Sequence, residues 1–214
     1  TDTTVITFIQ LPVADFTSNQ VCANSSTQFT DQSISSDGIT GWWWDFTNGD
    51  TSVVQHPIYV FTSGGSYDVG LIVSSANGCL DTVINTVLVD PTPVAGFVST
   101  ASCFVDSVVF TDTSNVNIGS ITNWSWSFGD GDSSVAQNPV NFYPASGIYT
   151  VTLAVTSAAG CTDTLVSAVS VNPVPEADFS FTLNCVNEPI QFSDQSVLLT
   201  GNIVTWNWDF GNGI

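Results

Sequence analysis

Apolar and polar residues alternate in short runs along the whole chain. Between Trp124 and Phe128 the aromatic residues are separated by single serines, and the segment from Tyr149 to Val155 alternates in the same way. This period of two indicates strands with one buried face. Gly, Asn, Asp, Ser and Pro interrupt the apolar runs about every ten residues, and no helical pattern of useful length occurs. About seven short strands in some 80 residues predict an all-β fold, an antiparallel β-sandwich with an immunoglobulin-like arrangement.

The pattern returns every 81 to 82 residues, which is typical of an array of small domains. The equivalent residues include Ala14, Ala95 and Ala177; Cys22, Cys103 and Cys185; Phe29, Phe110 and Phe192; and Trp44, Trp126 and Trp208. A residue that returns at the same place in every copy is most simply part of the fold. The recurrence therefore predicts a non-catalytic protein.

The repeat predicts four segments, with proline-bearing junctions between the units. Residues 1–11 are predicted to be the last strand of a preceding repeat, residues 12–93 and 94–175 two complete tandem repeats, and residues 176–214 a truncated third repeat. The third unit stops at Ile214, inside its own Trp-x-Trp-x-Phe segment. We therefore expect the chain to be a fragment of a longer array, with no signal peptide or membrane span within it.

Composition excludes several classes of partner. The chain has no Lys or Arg against 19 acidic residues, and its net charge is −19. Nucleic acid is excluded as a partner because no cation can displace its counterions. Isopeptide bonds and Schiff bases are excluded because the chain has no side-chain amine. A hydrophobic content of 43% argues against a disordered acidic tail.

Cysteine positions predict disulfides and an oxidising compartment. Each complete repeat has one early and one late cysteine, so we predict the bonds Cys22–Cys79 and Cys103–Cys161. Cys185 is the early cysteine of the truncated repeat, and its predicted partner lies beyond Ile214. Disulfides persist in secreted and surface-displayed proteins, so the predicted location is extracellular or at the cell surface. Buried free thiols are the alternative, and zinc is disfavoured because the chain has one His and no Cys-x-x-Cys.

Three motifs in a fixed order carry a family resemblance. In the second repeat, residues 126–134 read WSFGDGDSS, residues 138–139 read NP, and residues 147–153 read GIYTVTL; the first repeat has WDFTNGD, HP and GSYDVGL at the same places. This series resembles the signature of the polycystic kidney disease (PKD) domain over essentially the whole chain. The resemblance implies immunoglobulin-like sandwiches used as spacer, stalk or adhesive modules, and it does not imply an enzyme.

The tandem spacing and paired cysteines also resemble very large bacterial surface proteins. These include the mobile adhesins of gliding bacteria and other cargo of the type IX secretion route. On that resemblance we favour the stiff stalk or filament of a surface adhesin. Two alternatives stay open: carbohydrate- or protein-binding modules, and spacers attached to a secreted hydrolase. The predicted partners are neighbouring repeats of the same chain, other copies in a filament, and a glycan or surface ligand.

Acidic loops make calcium a candidate cofactor. Oxygen-rich loops that lack cations suit a hard ion, and the candidate ligands are Asp45, Asp50, Asp130 and Asp132. Aspartate in a turn also hydrogen-bonds its own backbone. Backbone capping is therefore the alternative interpretation of these residues.

Two further patterns are candidates for binding and modification. Trp43 occupies the outward position held by Ser125 and Asn207 in the other repeats, so it is either a ligand-stacking residue or a packing contact. Asp followed by Ser or Thr resembles the acceptor pattern of a bacterial O-glycosylation system, with candidate sites at Thr3, Thr82, Ser107 and Thr164. A repeated turn at a strand start is the alternative interpretation of that pattern.

Overall fold

Every regular element in the described part of the chain is a β-strand. The structure is a computed structural model, and it describes residues 10–211. The strands of the first repeat are β1 (Phe16–Ser18), β2 (Val21–Cys22), β3 (Ser26–Asp31), β4 (Ile39–Asp45), β5 (Thr51–Ser52), β6 (Ile58–Val60), β7 (Gly65–Ser75) and β8 (Leu80–Asp90). Those of the second are β9 (Phe97–Ser99), β10 (Ser102–Cys103), β11 (Val108–Asp112), β12 (Ile121–Ser127), β13 (Ser133–Ser134), β14 (Val140–Asn141), β15 (Gly147–Ser157) and β16 (Thr162–Asn172). Strands β17 (Phe179–Phe181) and β18 (Phe192–Asp194) belong to the third.

The strands of each complete repeat form two sheets. In the first repeat a three-stranded sheet has the order β1-β3-β6, and a five-stranded sheet has the order β2-β8-β7-β4-β5. The second repeat has the same two sheets, β14-β11-β9 and β10-β16-β15-β12-β13. Most pairs are antiparallel, but β2 runs parallel to β8 and β10 runs parallel to β16. The prediction of tandem all-β sandwiches is confirmed.

Aromatic rings fill the core of each sandwich. Trp44 is fully buried, with its ring 5.0 Å from Phe16 and 5.6 Å from Phe29 between centroids. Its indole Nε1 donates a hydrogen bond to the Val54 carbonyl at 2.9 Å, so the polar atom of this buried ring is satisfied. Trp42 and Phe46 pack against the same core, because alternate residues of a strand share a face.

The same ring cluster recurs in the other repeats. Trp126 is 1% exposed and lies 5.2 Å from Phe97 and 5.5 Å from Phe110. In the third repeat Trp208 keeps the equivalent ring contacts but is 37% exposed. Two strands of that repeat fall within the described residues.

The chain divides into two compact units that do not follow the sequence repeat strictly. Of the described residues, the first unit contains 10–94 together with the short segments 115–122 and 156–163. The second unit contains the remaining described residues of the second and third repeats. The prediction of a strand in residues 1–11 falls mostly on residues outside the described part.

Candidate functional sites

An aspartate at the end of β3 collects several hydrogen bonds. One carboxylate oxygen of Asp31 accepts from Trp42 Nε1 at 2.7 Å and from Gln55 Nε2 at 3.1 Å. The other accepts from the Ser33 backbone N–H at 2.9 Å. These donors occupy the carboxylate and tie two loops to the Trp-x-Trp-x-Phe strand.

The same cluster recurs in the other two repeats. Asp112 accepts from Trp124 Nε1 at 2.8 Å, from Gln137 Nε2 at 3.1 Å and from the Ser114 N–H at 2.9 Å. In the third repeat Asp194 accepts from Trp206 Nε1 at 2.8 Å and from the Ser196 N–H at 3.0 Å. The sequence analysis missed the two glutamines of this cluster. The sequence does contain a pattern that could have identified them. Gln55 directly precedes the His-Pro motif of the first repeat, and Gln137 directly precedes the Asn-Pro motif of the second, so the two glutamines are equivalent.

The hydrogen bonds stabilise the charged form of this aspartate. Burial alone raises the pKa of Asp31, but the hydrogen bonds from Ser33, Trp42 and Gln55 outweigh it, and the pKa lies below its ordinary value. The pKa of Asp112 is lowered in the same way, with burial opposed by the equivalent donors. The aspartate is a structural carboxylate of the fold, and its lone pairs are engaged by the protein.

His56 has the same local role as an asparagine in the second repeat. Its Nδ1 accepts a hydrogen bond from the backbone N–H of Asp31 at 3.1 Å. At the equivalent place, Asn138 Oδ1 accepts from the backbone N–H of Asp112 at 2.9 Å. The single histidine therefore supports a loop, as Asn138 does in the second repeat.

Two of the four aspartates proposed as calcium ligands, Asp45 and Asp130, cap turns. The Oδ1 atoms of three equivalent residues accept a backbone N–H two positions on: Asp45 from Thr47 at 2.9 Å, Asp130 from Asp132 at 2.9 Å, and Asp209 from Gly211 at 2.8 Å. This geometry is the one expected of an Asx turn. Capping, the alternative interpretation, describes how Asp45 and Asp130 are used.

The other candidate ligands also have structural partners. Asp50 Oδ2 accepts from Tyr59 Oη at 2.7 Å, and the second oxygen of Asp130 accepts from Asn141 Nδ2 at 2.8 Å. The backbone carbonyl of Asp132 accepts a hydrogen bond from the Phe128 N–H at 3.1 Å, which closes the turn between these residues. Across residues 10–211, no group of three or more His, Cys, Asp or Glu side chains is placed to hold a metal ion. Calcium binding at these aspartates stays a prediction.

The register of β2 excludes a disulfide within the first repeat. Cys22 ends β2 and lies opposite Asp90, the last residue of β8. Cys79 immediately precedes β8, so the full eleven-residue length of that strand separates the two cysteines. At about 3.3 Å per residue this distance is roughly 35 Å, whereas a disulfide needs Cα atoms within about 7 Å.

The second repeat has the same arrangement. Cys103 lies opposite Asn172, the last residue of β16, and Cys161 immediately precedes that strand. The predicted bonds Cys22–Cys79 and Cys103–Cys161 are therefore wrong. They assumed that two cysteines of one repeat lie at the same end of its sandwich.

The structure pairs cysteines of different repeats instead. Cys22 is bonded to Cys161, with a Cα–Cα distance of 5.7 Å and a sequence separation of 139 residues. Both belong to the first compact unit. Cys79 and Cys103 are free and partly exposed. The early cysteine of the first repeat thus bonds the late cysteine of the second.

Cys185, the early cysteine of the third repeat, is free and exposed. Its predicted partner lies beyond Ile214, and Ile214 itself lies outside the described residues. The bond of Cys185 therefore stays a prediction. The choice of a partner within the same repeat rested on the assumption that proved wrong for the first two repeats.

Trp43 lies on the outer face of the five-stranded sheet and is 42% exposed. It is opposite Ile72 on β7. On the same face, Gly70 of β7 has Asp45 on one side and Ile84 on the other. A Cβ atom at Gly70 would be 3.9 Å from a side-chain carbon of each of these two residues. Because alternate residues share a face, Trp43, Ile72 and Ile84 form one apolar surface, the outer patch.

The outer patch is a feature of the first repeat. The equivalent residues of the second repeat are Ser125, Ala154 and Val166. Ile84 is 66% exposed, so the patch is open to solvent. The sequence identified its tryptophan, but the two isoleucines became neighbours only through the strand register.

The candidate glycosylation sites differ in accessibility. Thr82 and Thr164 are exposed near the start of the last strand of each repeat, and Ser107 is half-buried just before β11. Thr3 lies outside the described residues. Asp81, which precedes Thr82, accepts the Ala14 N–H at 2.8 Å. Glycosylation stays a prediction, and the aspartate of this motif also has a structural contact.

Comparison with known families identifies the repeats. The sequence profile of the PKD domain matches residues 10–90 and 88–173, which together are most of the chain. The chain belongs to the PKD domain family. The Trp-x-Trp-x-Phe strand of the PKD repeats, and the His-Pro and Asn-Pro motifs of the first two, are the features whose contacts are described above.

Individual relatives carry PKD domains of similar sequence. The pre-pro-metalloprotease PrtV of Vibrio cholerae is 30% identical over 145 residues, which are 65% of this chain and 15% of that protein. The crystallised PKD1 domain of Vibrio anguillarum Epp is 32% identical, with a TM-score of 0.37 over 38% of this chain and 95% of that one. The PKD1 domain of V. cholerae PrtV is 35% identical, with a TM-score of 0.35 over 37% and 96%.

The comparisons leave the carrier of these PKD repeats open. The chain spans about 15% of the length of the first curated relatives it matches. The resemblance to gliding adhesins and type IX cargo stays a prediction. Within residues 10–211, no helix is long and apolar enough to cross a membrane.

Proposed function

We propose that this chain is a non-catalytic spacer of an extracellular protein, in which a disulfide protects tandem PKD repeats against extension. The Cys22–Cys161 bond carries this proposal, because it encloses most of the two complete repeats. PKD domains are often spacer or binding modules. The recurrent aspartates and rings are used in turns, loops and cores, which agrees with a structural role.

The enclosed length sets the size of the expected effect. A force applied to the two ends of the chain acts on residues outside the bond and does not reach residues 23–160, because the bonded cysteines are 139 positions apart. An extended chain spans at most about 3.3–3.6 Å per residue. The bond therefore holds back roughly 460–500 Å of chain.

Single-molecule pulling of the chain from its ends tests this proposal. Without reductant, we expect residues 23–160 to contribute no contour length to the stretched chain, even after the first and second repeats have unfolded. With reductant, unfolding should release the additional 460–500 Å or so that the bond holds back. The Cys22→Ser variant is the matched control and should extend fully in both conditions. Equal extension of the unsubstituted chain with and without reductant would refute the proposal.

Two carriers of such a spacer are compatible with the family. The similarity to a metalloprotease of V. cholerae supports a secreted hydrolase at least as strongly as the stalk of a surface adhesin. Sequencing of the complete gene distinguishes them. A hydrolase domain beside the repeats favours the first carrier, and many further repeats with a surface anchor favour the second.

The outer patch supports a second candidate function, binding of a neutral glycan. An exposed indole beside aliphatic side chains can stack on a sugar ring, and Asp45 lies next to it as a hydrogen-bond acceptor. The variant Trp43→Ser copies the second repeat at this position. It should abolish any retention of the chain on insoluble cellulose or chitin without lowering its stability. Equal retention of both proteins would exclude the outer patch as the binding surface.

A further inference from the structure

The free late cysteine of the first repeat has the same local structure as the bonded late cysteine of the second. The carbonyl of Cys79 accepts the Ser75 N–H at 2.9 Å, and that of Cys161 accepts the Ser157 N–H at 2.8 Å. The hydroxyl of each serine in turn accepts the cysteine N–H, at 3.3 Å and 3.2 Å. Cys79 is therefore held in its turn as Cys161 is.

The free early cysteine also matches its bonded equivalent. The carbonyl of Cys22 accepts the Ser25 N–H at 3.1 Å, and that of Cys103 accepts the Asp106 N–H at 2.9 Å. Each of these cysteines ends a short strand that pairs in parallel with the end of the last strand of its repeat. Cys103 is therefore placed in the second repeat as Cys22 is in the first.

The sandwich itself restricts which cysteines can pair. The early and late cysteines of one repeat lie at opposite ends of its last strand, roughly 35 Å apart, so neither can bond the other. The bond that forms joins the early cysteine of one repeat to the late cysteine of the repeat that follows it. Within residues 10–211, Cys103 has no late cysteine of a following repeat available, and Cys79 has no early cysteine of a preceding one.

We propose that Cys79 and Cys103 are the open halves of two further disulfides of the Cys22–Cys161 type. The early cysteine of a preceding PKD repeat completes the bond to Cys79. The late cysteine of a following PKD repeat completes the bond to Cys103, and both partners lie on the same chain. The spacer would then be linked from repeat to repeat by staggered disulfides. This inference rests on the proposed spacer function, which supplies the adjoining repeats.

Each new bond needs an oxidant. The two thiols lose two protons and two electrons as the sulfur–sulfur bond forms. The electrons reduce the disulfide of a thiol oxidase, or of oxidised glutathione in a refolding experiment, to two thiols. Both free cysteines are partly exposed, so such an oxidant can reach them.

Disulfide mapping of the protein from its own cell tests the proposal. Free thiols are alkylated at lysis, and the unreduced protein is cut with a protease specific for aspartate, because trypsin has no site. Aspartates separate all five cysteines, so each falls in its own peptide. We expect Cys22 linked to Cys161, and Cys79 and Cys103 each linked to a cysteine peptide from outside residues 1–214.

Several results would overturn the proposal. These are alkylation of Cys79 or Cys103, a bond between them, or dimers on a non-reducing gel that disappear on reduction. The Cys79→Ser variant is the control for folding: it should keep the Cys22–Cys161 bond and leave one alkylated early cysteine outside residues 1–214. The pulling experiment depends on Cys22–Cys161 alone, so the spacer function and the staggered bonds can fail separately.

Discussion

Thr27 is buried on β3, and its hydroxyl oxygen is the buried side-chain polar atom without a hydrogen-bond partner among the described residues. A hydroxyl that loses its water and gains no partner costs about 1–3 kcal/mol. The equivalent residues of the other two repeats are Val108 and Ile190, which carry no polar atom. The first repeat thus retains a cost that its neighbours avoid.

We expect the Thr27→Val variant to stabilise the first repeat by about 1–2 kcal/mol, because valine has nearly the same shape and needs no hydrogen bond. This is an uncommon direction for a single core substitution. The reverse change, Val108→Thr, is the matched control. It should destabilise the second repeat by about 1–3 kcal/mol, because it buries a hydroxyl at a position that is fully shielded from solvent.

Hydrogen exchange read by mass spectrometry measures each repeat separately. Peptides from β3 and β11 report the opening free energy of the first and second repeats. If the opening free energy rises by 1–2 kcal/mol, hydrogen exchange through opening slows by roughly 5- to 30-fold. Unchanged or faster exchange in Thr27→Val would refute the assignment of an unsatisfied hydroxyl. An unchanged second repeat in Val108→Thr would show that a hydroxyl finds a partner at this position.

Two further substitutions test the aspartate cluster and a turn. Because the pKa of Asp112 is lowered on folding, its carboxylate stabilises the protein above the ordinary value of 3.8, and this contribution is lost as the pH falls through the lowered pKa. When the pH is lowered below 3.8, the denaturant midpoint should therefore fall less for the Asp112→Asn variant than for the unsubstituted protein. An identical fall in both proteins would contradict the prediction. Gly129 has a φ of +82°, and a Cβ there would lie 2.6 Å from the Thr150 carbonyl oxygen, whereas Gly131 has a φ of +106° and open space around it. A residue with a side chain in the left-handed region costs roughly 1–2 kcal/mol. Gly129→Ala should destabilise the second repeat by more than this, and by more than the control variant Gly131→Ala, because only Gly129 adds a steric clash. Equal denaturant midpoints of the two variants would argue against the clash.

The amino-acid sequence by itself determined the fold class and the core. Alternation with a period of two places Trp44 and Trp126 on one face of a strand, and burial of that face follows wherever two such sheets pack. The turn aspartates were also readable, because Asp45 and Asp130 bond their own backbone two residues on. These features are local, so the residues that form them are close in sequence.

Only the tertiary structure decided which cysteines bond. The repeat identifies equivalent cysteines, but it does not say at which end of the sandwich each one lies. The parallel pairing of β2 with β8 places Cys22 at the far end of the strand that follows Cys79. The outer patch and the unsatisfied hydroxyl of Thr27 depend in the same way on neighbours distant in sequence. The strand register that brings such residues together is a property of the folded sheet, and periodicity along one strand does not contain it.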